Sequence, residues 1–334
     1  MLNLDKYQNT AHQVKKGASE KYILMTESDL LYFKKNISNN YGVVLPNDVL
    51  EVFVSYILEH TGCKNFVKYD FATLNGERGC VSKSFLSGVK YEVSLLDAME
   101  LLYANKVQNS VLDINTKFDN EFFSQFYNFA VENEMNRGGS TFTIDSICEK
   151  MEEFAQYYRV RFDKKKTASR LREIATYDYF LGNGDRNWTN LEFLVTKDEM
   201  KLAPIFDNGM SFGIWHFEND GKAPVFSHLG FTAIDDEENL EQNNLLKDGG
   251  LIVLDIMREA KNDKRVAKLV EIFKNLDFSK MLAKFKTENN IEIDEDVENY
   301  ITQIYEMRVK LFKQKENKIN KIVNRHNPEE QKIQ

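Results

Sequence analysis

The sequence predicts an α+β chain built as two lobes, a small β-rich front lobe over residues 1–88 and a large, mostly helical back lobe over 89–334. Three observations point there. At 334 residues the chain is too long for one small domain. Short β-rich runs crowd its first 90 residues around a single helical stretch. Beyond them apolar residues recur at helical spacing, interrupted by one hairpin pattern.

In chain order, residues 21–25 (KYILM) and 30–35 (LLYFKK) read as strands separated by TESD. At 47–62 the pattern becomes helical. Asn47 stands at the cap position, Val49, Leu50, Phe53, Val54, Ile57 and Leu58 form one stripe, and Gly62 closes it. Two further strands are expected near 65–72 and 79–86, with NGERG as their turn. Helices follow at 94–104, 120–133, 143–158 and 167–183. A hairpin of 191–195 and 201–207 is expected through TKDEM. The stretch 255–323 reads as helices, the last from about 294, with Val297, Ile301, Ile304, Leu311 and Phe312 on its core side.

Composition removes several function classes. The 42% hydrophobic and 12% aromatic content suffices for sizeable cores. A net charge of −8 offers no general attraction to phosphate backbones, so no nucleic-acid partner is expected. Cys63, Cys80 and Cys148 are odd in number and far apart, which supports neither a disulfide framework nor a zinc site. The five histidines share no metal-ligand spacing. No signal pattern opens the chain and no long apolar run occurs, so a cytoplasmic setting without membrane insertion is expected. Lys164–Lys166 reads as an exposed helix start, and the acidic run 235–244 as a solvated loop or helix start.

The stretch LGNGDRNWTN (181–190) is the most informative. Asp185 and Asn190 have D-x4-N spacing, and Asp207-Asn208-Gly209 supplies a D-x-G beyond the predicted hairpin. Phosphoryl transfer requires a carboxylate that positions or deprotonates the incoming hydroxyl, and magnesium held against the phosphates of ATP. Protein kinases meet both needs with this order of residues, the first Asp as base and the Asn and second Asp as magnesium ligands. One amide oxygen and one carboxylate suffice for magnesium, which takes its remaining ligands from phosphates and water. Gly182 and Gly184 let the chain leave the helix sharply. Arg186 either orients a phosphate or braces the loop, and Trp188 reads as packing.

The segments GNGDRNWTN and APIFDNG resemble those of HipA-like kinases and, beyond them, the phosphatidylinositol-3/4-kinase-like branch. The branch's D-R-H-x-x-N loop has Asn187 here in place of its histidine. GASEK (17–21) is similar to the G-A-x-E-K segment that opens the phosphate-covering loop of HipA-like proteins, which implies nucleotide contacts for Gly17, Ala18, Ser19 and Lys21. The resemblance also implies a lysine on the α/β-phosphates, Lys34 rather than Lys35, and a carboxylate, Glu51, that holds it. By position alone, Ser84, Phe85 and Leu86 occupy the place of the adenine-binding hinge, with Val81 against the ring. The implied protein is a bilobal, protein-kinase-like Ser/Thr kinase that uses ATP and Mg2+. Its implied partners are a protein substrate and an antitoxin-like protein. Self-phosphorylation at Ser19 is implied too. A lipid or small-molecule kinase and a nucleotide-binding pseudokinase are the alternatives.

Overall fold

The computed structural model describes residues 1–14, 20–38, 42–108, 144–183, 185, 186, 190–217 and 262–326, together with residues 121 and 260. Its first half is a six-stranded sheet. The strands are β1 (Leu2–Asn3), β2 (His12–Val14), β3 (Lys21–Met25), β4 (Leu30–Lys35), β5 (Tyr69–Leu74) and β6 (Glu77–Lys83). Their order across the sheet is β1-β5-β6-β4-β3-β2, with every pairing antiparallel except that of β1 with β5. The β5–β6 turn is the Asn-Gly pair 75–76, both at positive φ, as a two-residue hairpin loop requires.

Strand alternation separates two faces. Phe33 and Val81 pair across β4 and β6 and pack with Leu4, Leu24, Ala72 and Leu74 into a small outer cluster. Lys34 pairs with Cys80 on the opposite face. Helix α1 (Asn47–His60) packs there, against β5 and β6. Val81 therefore lies on the face away from Lys34, which overturns the expectation that it packs on adenine. Lys35 also faces outward, where its ammonium meets Glu20 at 2.8 Å and also pairs with Glu77.

The cap of α1 departs from expectation as well. Asn47 is the first helical residue, and the loop residue Asn36 accepts from Asp48 N through its Oδ1 at 2.8 Å. A long-range side chain thus does the work of a local cap.

The second half pairs a four-stranded sheet with helices. After β7 (Tyr91–Ser94) come α2 (Leu95–Gln108), α3 (Ile144–Tyr157), β8 (Arg161–Phe162) and α4 (Lys164–Leu181). They are followed by β9 (Glu192–Val195), β10 (Glu199–Leu202), α5 (Lys264–Asn275), α6 (Phe278–Asn289) and α7 (Glu295–His326). The sheet order is β7-β9-β10-β8. The β9–β10 turn is tighter than expected. Thr196 N donates to Glu199 O at 2.8 Å, so Glu199 and Met200 belong to the strand and residues 203–207 lie beyond it. Lys164–Lys166 does open a helix, capped by the Asp163 carboxylate, which accepts from Lys166 N.

One large apolar core joins the halves. It includes Phe71 and Cys80 of the front sheet, most of α1, and the inward faces of α2 to α7. Phe53 of α1 meets Phe285 at 4.8 Å, Phe278 at 5.5 Å and Phe212 at 6.4 Å between ring centroids. On α7, Val297, Ile301, Ile304 and Phe312 are buried as expected, and Leu311 is half-buried. The helix expected at 120–133 and the acidic run 235–244 fall outside the described residues. No helix among the described residues is long and apolar enough to cross a membrane.

Candidate active site

The site forms where the front sheet, α1 and the loops around β9 and β10 meet. Lys34 is its centre. Its ammonium lies 2.6 Å from Glu51 Oε1 and 2.6 Å from Asp207 Oδ1, and its side chain is only 12% exposed. Three segments distant in sequence therefore converge on one charge. Lys21, on the neighbouring strand and directly opposite Lys34, reaches Asp207 Oδ2 at 3.4 Å.

Each carboxylate is held for a different purpose. Glu51 uses its second oxygen to accept from the backbone N–H of Asn208 at 2.7 Å, tying α1 to the D-x-G segment. Burial pushes its pKa up, opposed by the attraction of Lys34. Burial also works against ionisation of Asp207, but Lys34 first and Lys21 second hold that carboxyl well below its usual range. Lys34 loses hydration by burial, yet Asp207 and Glu51 keep it firmly protonated. The net arrangement is two carboxylates around one fixed cation.

The D-x-G segment owes its shape to two backbone features. Asp207 adopts φ 58°, a left-handed conformation that Asp tolerates better than most side chains. Its N–H donates to the Tyr69 hydroxyl at 3.3 Å. At Gly209, a Cβ would stand 3.3 Å from Asn47 Cβ and 3.3 Å from Glu51 Cγ, so the glycine lets α1 approach. Asn47 uses that closeness, donating from Nδ2 to Gly209 O at 2.8 Å and accepting from Ile37 N at 3.2 Å. Sequence reasoning placed this side chain in a cap.

The D-x4-N loop leaves α4 at Gly182, whose φ of 60° is the left-handed turn expected of a C-terminal glycine. Gly182 O then accepts from Gly213 N at 3.1 Å, fastening the loop's entrance to the 3-10 turn Ser211–His216. Asn190 donates from Nδ2 to Asp185 O at 2.6 Å and to Asp185 Oδ2 at 2.9 Å. The amide thus closes the loop upon its own carboxylate. The Asp185 carboxyl is raised by burial and then by the nearby Asp207, against the pull of Arg186 and Asn190.

Arg186 proves to be a brace. Its side chain is 3% exposed and faces Asp178 of α4, equally buried, at 3.3 Å. It also donates to Phe206 O at 2.8 Å, Asn190 O at 3.3 Å and Asn208 Oδ1 at 2.8 Å. One guanidinium thereby links the helix, the D-x4-N loop and the D-x-G segment. From the sequence, Asp178 had no assigned role, and Asn208 none beyond its place in the D-x-G. The signal was there in Asp178, a lone carboxylate inside the apolar run Tyr177–Leu181.

The expected hinge is partly committed elsewhere. Ser84 N donates to Leu30 O at 2.8 Å, extending the sheet, which removes it as an adenine donor. Leu86 N donates to Ser84 Oγ at 3.2 Å. Phe85 packs on Phe206, the residue before Asp207, at 5.4 Å between ring centroids. Gly17, Ala18 and Ser19, like Gly184, Asn187 and Trp188, fall outside the described residues.

No family model and no curated protein matches the sequence. Among solved structures, the proinflammatory kinase CtkA of Helicobacter pylori matches over 96% of this chain and 98% of its own, with a TM-score of 0.53 at 13% identity. The chain shares the α+β fold of that kinase. HipA of Shewanella oneidensis, solved with HipB and its operator DNA, matches over 90% of this chain and 65% of its own, with a TM-score of 0.48 at 10% identity.

Among the described residues no group of three or more His, Cys, Asp or Glu side chains could hold a metal alone. This donor set suits an ion that arrives with phosphate oxygens as further ligands.

Proposed function

We propose that the chain is an ATP-dependent phosphotransferase that acts on a Ser or Thr hydroxyl of a protein. The observation that carries this reading is the Lys34 ammonium held 2.6 Å from both Glu51 and Asp207. A buried lysine oriented by a helix carboxylate and aimed at the D-x-G aspartate is the arrangement that kinases use to hold α/β-phosphates.

Lys34 binds the phosphates, and Glu51 fixes its direction. Lys21, with Gly17, Ala18 and Ser19, serves in nucleotide binding. Asn190 and Asp207 would hold Mg2+, which would supply positive charge against the phosphates. The stretch Ser84–Leu86 borders adenine, with Ser84 N–H committed to the sheet. Asp185 accepts the proton of the attacking hydroxyl. The hydroxyl oxygen bonds to the γ-phosphorus while the bond to the β–γ bridging oxygen breaks, leaving ADP. The raised Asp185 carboxyl suits it to take a proton. Arg186, buried among protein acceptors, is a positioning residue.

The test is Asp185→Asn with γ-labelled ATP, magnesium and a protein acceptor mixture. Transfer should fall by about 10²–10⁴-fold, the usual contribution of a general base, while the affinity for ATP stays within a few-fold. Transfer at the parent rate would overturn the role of Asp185. Label appearing only in lipid or small molecules would overturn the protein substrate.

A further inference from the structure

A cavity of about 1120 Å³ lies away from Lys34 and Asp207, between the end of α1, the β8–α4 junction, β10 and the start of α5. Ten of its lining side chains are basic and three are acidic, on a chain whose net charge is −8. The acidic ones are occupied. Asp163 caps α4, Glu173 pairs with Arg170 and Arg265, and Glu199 pairs with Lys201. Lys64, Arg161, Lys165, Lys166, Lys264 and Lys268 form no ion pair among the described residues and are exposed. At the floor, Arg170 is 8% exposed, and its Nε has no hydrogen-bond partner. Gathering so many unneutralised cations costs mutual repulsion, which an anionic ligand would relieve.

We propose that this groove docks an acidic segment of a partner protein. Three features select that occupant. A compact phosphate ester needs several rigid donors, and here, Arg170 Nε apart, the rigid donors are already used. The starts of α4 and α5 are closed by the Asp163 and Asp263 carboxylates, and Arg170 gives its terminal nitrogens to Glu173, Asn65 O and Cys63. The volume also exceeds the ~300–1,000 Å³ of small-molecule sites. A single nucleic-acid strand needs aromatic faces for its bases. The two aromatic rings here are half-buried Phe162 and buried Tyr177, whose hydroxyl is bonded to Thr61 at 2.9 Å. Flexible exposed lysines above a deep channel match carboxylates spaced along a polypeptide.

The experiment uses the full chain and a fluorescein-labelled decapeptide of alternating Asp and Glu, which has no hydroxyl to phosphorylate and so reads docking apart from transfer. Anisotropy should show saturable binding that weakens as salt rises. The variant Lys165→Glu/Lys264→Glu/Lys268→Glu should bind about tenfold or more weakly, since each exposed pair contributes modestly and three add. An unchanged melting temperature would confirm that the variant is folded, and Lys165→Ala/Lys268→Ala serves if it is not. Equal binding by parent and variant, or none by the parent, overturns the proposal. Tighter binding of a ten-nucleotide single strand with the same dependence on the three lysines would make this a nucleic-acid groove. Displacement of the peptide by stoichiometric pyrophosphate would make it a small-anion pocket. Either result also overturns the proposal.

Discussion

Replacing Arg186 with Met separates two roles that the sequence left open, a phosphate-orienting residue and a brace. In the structure the guanidinium is 3% exposed and its ionic partner Asp178 is also 3% exposed. Methionine fills much of the volume but leaves Asp178 charged without a cation, and Phe206 O and Asn208 Oδ1 without their strong donors. Breaking a buried pair on one side costs about 3–5 kcal/mol. The single 3.3 Å contact to Asp178 favours the lower half, and the orphaned acceptors push it back up. Against a typical total of about 5–15 kcal/mol, the variant should be folded but markedly weaker. Urea melts without nucleotide measure this directly. Their pH dependence adds a second readout. Burial already raises the Asp178 carboxyl above its ordinary value, and losing Arg186 raises it further. A buried acid with a raised folded pKa penalises the fold only while it is ionised. The destabilisation should therefore shrink as pH falls through that raised value. Adding Asp178→Asn should recover part of the loss at neutral pH. A variant as stable as the parent without nucleotide, but defective in ATP affinity, would refute the brace.

Two further outcomes follow from the cluster itself. Lys34→Met should destabilise the chain by about 3 kcal/mol, because Glu51 is left buried without its cation. The loss should narrow in acid, since the Glu51 carboxyl, already raised by burial, then takes a proton; melts at two pH values check the sign. Gly209→Ala should cost about 1–3 kcal/mol through overpacking, as the new methyl meets Asn47 and Glu51 at 3.3 Å, and should lower transfer more than Asn47→Ala does. Stability and activity unchanged from the parent would show that α1 does not approach the D-x-G segment this closely.

How much of this was legible depended on whether a residue's role was local. Asp185, Asn190 and Asp207 could be singled out because short turns fix them and their order along the chain is informative. Lys34 could not be chosen over Lys35 by alternation alone, because both faces of β4 are covered. The register against β3 and β6 decides it, sending Lys35 to Glu20 and Glu77. Asn47 misled because a cap is a local inference, whereas its amide serves Gly209, 162 residues away. The end of β6 was equally opaque. Nothing in Ser84 itself reveals that its N–H completes a ladder with Leu30. The short β9–β10 turn shifted its second strand forward because Thr196 and Glu199 close it in two residues.

The seat of Phe53 bears on how such a protein can be controlled. In bilobal protein kinases, positioning of the helix whose glutamate pairs with the phosphate-binding lysine controls activity. Here that helix is riveted through one ring to three phenylalanines contributed by sequence more than 150 residues downstream. Withdrawing a phenylalanine from such a seat costs about as much as deleting it, roughly 3–5 kcal/mol. An effector that turned this chain off by swinging α1 would have to supply that energy. Adjusting Lys21, which meets Asp207 at 3.4 Å across partly exposed side chains, asks for far less.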